Sequence, residues 1–77
     1  MTRLPIVDYM TMDRVLQALG FSAIRQKGSH VFYRHPDGRT TTLPRHPGRD
    51  LSRPLIREIL REFQITQDQF NELLRDI

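Results

Sequence analysis

The segments Lys27-Gly28-Ser29 and Pro36-Asp37-Gly38 bracket the run His30-Val31-Phe32-Tyr33-Arg34-His35, and no other feature constrains the fold as tightly. The run is rich in β-branched and aromatic residues, and the breakers on either side leave it too short for a helix. Proline suits the second position of a turn and glycine accepts a positive φ, so each bracket reverses the chain. Reversal at both ends calls for strands before and after, read as Phe21–Gln26 and Arg39–Leu43 around a central His30–His35. The product is an antiparallel meander. Alternation along the middle strand assigns Val31 and Tyr33 to a covered face and His30, Phe32 and Arg34 to an open one. A slipped or bulged register would exchange the two faces, and the apolar Phe32 keeps that alternative in play.

Helices flank this meander. Met12, Val15, Leu16 and Leu19 fall at helical spacing after a cap at Asp8 or Thr11, and Gly20 sits where a helix stops. Ahead of it, Arg3-Leu4-Pro5-Ile6-Val7 reads as an extended arm. The loop Arg45–Asp50 leads to a second helix capped by Ser52, with Pro54 in its first turn. Leu55, Ile56, Ile59, Leu60 and Phe63 form its apolar stripe. A capping box at Thr66–Gln69, with Ile65 stapled to Phe70, opens a short third helix on whose apolar face Leu73 and Leu74 follow. The order α-β-β-β-α-α predicts an α+β fold, one domain over residues 1–77, with the helices on one face of the sheet.

A chain of 77 residues buries only about 60% of its unfolded surface. Without cysteine it has neither disulfides nor thiolate zinc ligands to strengthen so small a core. No apolar run approaches the roughly 20 residues of a membrane span, and the N-terminus has no signal-like apolar region. A cytoplasmic location is expected.

The net charge of +3 hides a steeper gradient. Residues 21–57 hold eight cations against Asp37 and Asp50, a balance of +6, whereas residues 58–77 carry −3. All three histidines lie in the basic stretch, and eleven of the twelve cations are arginine, whose planar fork suits phosphate and stacks on bases. Such clustering is the footprint of a polyanion binder; the competing reading is a solvated basic face with no ligand. Beside a glycine turn and several cations, His30 has the side chain suited to take or give a proton near neutrality.

The ordered set Arg25-Gln26-Lys27-Gly28-Ser29-His30, Arg34-His35-Pro36-Asp37-Gly38-Arg39, Leu43-Pro44, His46-Pro47-Gly48 and Leu51 resembles the HicA toxin family of bacterial toxin–antitoxin systems. The likeness runs from the Leu4-Pro5 arm through Gly20-Phe21 and Ile59-Leu60 to Ile65 and Phe70. It implies a fold like the double-stranded-RNA-binding domain, an endoribonuclease acting on mRNA, and a HicB antitoxin that masks it. It also implies that His30, in the Gly-Ser-His motif, is catalytic. Many members carry a second histidine directly afterwards; this chain has Val31, which leaves the mapped residue intact and removes a helper.

Metal-free RNA cleavage needs a proton taken from the 2′-OH, charge stabilised at phosphorus and a proton given to the 5′-oxygen. One positioned acid or base contributes roughly 10²–10⁴-fold. His30 suits the proton transfer, and Arg25, Lys27, Arg34 and Arg45 are candidates to hold the phosphate. The amides of Gly28 and Ser29 can add donors where the turn approaches a ligand. Ser29 also reads as a plain turn former, His35 as structural beside Pro36, and His46 either as a second phosphate or proton-transfer group or as a loop residue. The histidines lack metal-ligand spacing, so neither a metal nor any other cofactor is expected. Two other functions compete with the nuclease: a non-catalytic RNA-binding module, and a subunit whose basic face docks an acidic protein.

Overall fold

The computed structural model describes residues 3–77, and its elements follow from local signals. Helix α1 (Tyr9–Ala18) starts where the Asp8 carboxylate accepts the Thr11 amide at 2.9 Å. That bond holds the Asp8 carboxyl below the usual carboxylate range. The helix ends as Phe21 N–H donates to Leu16 C=O and Gly20 N–H to Gln17 C=O, with Gly20 at φ +97°. This paired pattern needs a left-handed residue, and glycine adopts one without strain.

Strands β1 (Ser22–Lys27), β2 (His30–Arg34) and β3 (Thr40–Pro44) form an antiparallel sheet in the order β1-β2-β3. Gly28-Ser29 is the two-residue turn between Lys27 and His30. Pro36-Asp37-Gly38 makes the second reversal, closed by His35 N–H donating to Arg39 C=O. The Asp37 carboxylate accepts from the Arg39 amide and from its Nε, which lowers the Asp37 pKa.

Strand limits differ from expectation by a residue. Phe21 is drawn into the helix stop and the core, His35 into the turn, and Pro44 joins β3 opposite His30. Proline is tolerated there because β3 is an edge strand. A bulge between Ala23 and Arg25 interrupts β1. Counting back from the turn would set Ile24 opposite Tyr33. The bulge gives that place to Ala23 and leaves Ile24 56% exposed.

Helix α2 (Arg53–Phe63) is capped by Ser52, and α3 (Gln67–Asp76) by the reciprocal Thr66–Gln69 box. Val31, Tyr33, Thr41 and Leu43 point from the sheet into a core shared with Met12, Val15, Leu16, Ile56, Ile59, Leu60, Phe63 and Phe70. Val31 and Tyr33 thus lie on the covered face, while His30 and Arg34 are exposed on the other. Burial and two hydroxyl bonds push the Tyr33 phenol up: it donates to Asp13 Oδ1 at 2.6 Å, so Tyr9, also 2.6 Å away, must donate to it. Among the described residues, no helix is long and apolar enough to cross a membrane.

Candidate nucleic-acid interface

The open face of the sheet takes its composition from the turn at Gly28-Ser29. A two-residue turn fixes register at its base, so Lys27 stands opposite His30 and Arg25 opposite Phe32. Opposite residues share a face with their Cβ atoms about 5 Å apart. The middle strand adds Arg34, and β3 contributes Thr40, Thr42 and Pro44 opposite Arg34, Phe32 and His30. His30, Arg25, Lys27 and Arg34 are exposed, and Phe32 is half-buried. The Arg25 guanidinium lies over the Phe32 ring, 4.7 Å from its centre.

Distance along β2 divides the cations. Arg34 is four residues from His30, about 13 Å at strand rise, so it stands well apart from Lys27, which is opposite His30. The sequence joined these residues in one group; the structure spreads them along a face.

At the His30 end, Ser29 C=O accepts the Arg45 amide at 2.6 Å, which ties the following loop to the turn. Arg45 does not join the open face. Its guanidinium lies 5.4 Å above the Tyr9 ring, on the helix side of the sheet. His46 lines a small cavity of about 90 Å³ there with Tyr9, Met10 and Arg45. The N-terminal arm braces this loop: Leu51 N–H donates to Val7 C=O, Asp8 bridges to Asp50, and Arg53 donates to Leu4 C=O at 2.6 Å.

The remaining histidine is structural. His35 packs edge-on to Phe21 with centroids 5.2 Å apart, and its Nδ1 lies 2.9 Å from Asp37. Arg39 is likewise committed, to Asp37 and over Phe21. Among the described residues, no three histidine or carboxylate side chains converge as a metal site would require. Two features escaped the sequence reading: Arg45 folding back on Tyr9, and the Arg25 guanidinium lying over Phe32, whose open-face position strand alternation had assigned. An aromatic on the polar side of a strand was the available signal for the second.

Residues 10–65 match the family described as the HicA toxin of bacterial toxin–antitoxin. The match contains all three strands, both turns and α2, and leaves the arm and α3 outside. No curated protein matches the chain.

Proposed function

The chain belongs to the HicA toxin family, and we propose that it is an endoribonuclease that cleaves mRNA with His30 as acid or base. One observation carries this reading. His30 is an exposed imidazole on an uncovered, cationic sheet face, opposite Lys27 and beside the Gly28-Ser29 turn, inside the matched region. In the reaction, the 2′-oxygen loses its proton and bonds to phosphorus. The bond from phosphorus to the 5′-oxygen then breaks, and that oxygen takes a proton. His30 performs one of these transfers. Lys27 and the turn amides hold the phosphate charge; Arg25 and Arg34 hold neighbouring phosphates.

The partner in this reading is a HicB-like antitoxin that covers His30, with acidic groups meeting Arg25, Lys27 and Arg34. Complementary charge speeds such an encounter and fixes its register. The workplace is the cytoplasm, where the mRNA is. No metal enters the chemistry.

Inducible expression of the native chain and of His30→Ala tests the proposal. The native chain is expected to arrest growth and fragment mRNA. The variant should do neither, while still binding RNA in gel shifts. Equal toxicity at equal soluble level would remove His30 from the chemistry, and binding without cleavage by the native chain would leave an RNA-binding module.

A further inference from the structure

The chain has four phenylalanines, two tyrosines and no tryptophan. Tyr9, Phe21, Tyr33, Phe63 and Phe70 are all buried. Phe32 alone is not, and it stands on the uncovered side of the central strand, where core packing cannot explain it. Its neighbours are polar: Arg25 and Thr42 oppose it, and His30 and Arg34 flank it on the same face. A guanidinium spread over a ring offers a flat cationic surface, and unpaired bases stack on both kinds of group. His30 is two residues away, about 7 Å along the strand, a spacing comparable to one nucleotide step of an extended chain.

We propose that Phe32 and Arg25 form a nucleobase-stacking subsite that seats an unpaired base next to the phosphodiester presented to His30. This rests on the ribonuclease reading and adds a positioning element to it. Phosphate contacts let the strand slide, because every phosphate is alike. A stacked base stops the slide and sets which bond reaches the imidazole.

The test uses His30→Ala protein, so that bound RNA stays intact, with a short single-stranded RNA. One 2-aminopurine, and separately one abasic site, is moved through each position. Binding should quench 2-aminopurine strongly at one position, and an abasic site there should weaken affinity roughly 10-fold, in the range typical of base–aromatic stacking. Phe32→Leu should lose about the same factor on intact RNA and almost nothing further on the abasic RNA. Phe32→Tyr should behave as the parent. Quenching that is equal at all positions, or an equal Phe32→Leu loss on intact and abasic RNA, would overturn the subsite; the quenching needs no Phe32 substitution and so does not depend on the variant's folding. Cleavage by the native chain without this coupling would overturn the subsite alone. Coupling without cleavage would support the subsite and overturn the nuclease reading.

Discussion

Gly20 and Gly38 share a φ of +97°, yet their surroundings differ. A methyl group on Gly20 would lie 2.8 Å from Nε2 of His35, whereas on Gly38 it would meet nothing within 4 Å. The left-handed backbone costs an alanine about 1–2 kcal/mol at either place, and only Gly20 adds a collision. Gly38→Ala is therefore expected to lose about 1 kcal/mol and Gly20→Ala at least about 1 kcal/mol more. Thermal melts should separate the two variants by about 4–8 °C. Equal melting temperatures would show that the His35 ring moves aside freely. The helix stop at Gly20 was legible in the sequence because glycine ends helices. That the same glycine makes room for His35 was not, since only the folded meander brings the two together. Among the candidate site residues, the open-face position of His30 and Arg34 was legible through strand alternation. Lys27 and Arg25 needed the register of the turn, and Arg45 needed Tyr9, a core partner from the far end of the chain.

Two helices stop by the same hydrogen-bond pattern on different residues. After α2, Ile65 N–H donates to Leu60 C=O and Gln64 N–H to Arg61 C=O, as Phe21 and Gly20 do after α1. Here the left-handed position holds Gln64, at φ +57°. A glutamine pays the steric penalty that glycine avoids, so Gln64→Gly should stabilise the fold by about 1 kcal/mol, observed as a rise in melting temperature of several degrees. A lower melting temperature would mean that glycine's greater freedom in the unfolded chain outweighs the relief. Glutamine carries no left-handed preference, which is why the sequence marks the end of α1 and not that of α2. The bulge at Ala23–Arg25 was hidden for a similar reason: no glycine or proline announces it. Caps, in contrast, were legible at Ser52 and Thr66, where short polar side chains precede an apolar stripe, while the first helix left Asp8 and Thr11 as alternatives and the structure places the cap at Asp8.

Across the whole molecule, charge is divided between layers. The strands carry Arg25, Lys27 and Arg34 and no carboxylate, whereas on α2 and α3 Glu58, Glu62, Asp68, Glu72 and Asp76 offset Arg53, Arg57, Arg61 and Arg75, a balance of −1. A polyanion is thus drawn to one side. Lys27→Ala and Arg34→Ala should each weaken binding of single-stranded RNA to a similar degree for every sequence. Each should also lower the salt slope of the binding constant by about 0.7, as the loss of one phosphate contact does. An unchanged slope for either variant would take that residue off the path of the RNA. The connectivity also has a consequence in time. Every strand pairs with its neighbour in the chain through a two- or three-residue reversal, and hairpins of that kind close in about 1–10 μs. The brace made by Leu4 with Arg53 and by Asp8 with Asp50 joins distant parts of the chain and must wait for them to meet. Local hairpin closure is therefore expected to precede docking of the arm, so the sheet face that carries His30 takes shape before the arm locks the loop behind it.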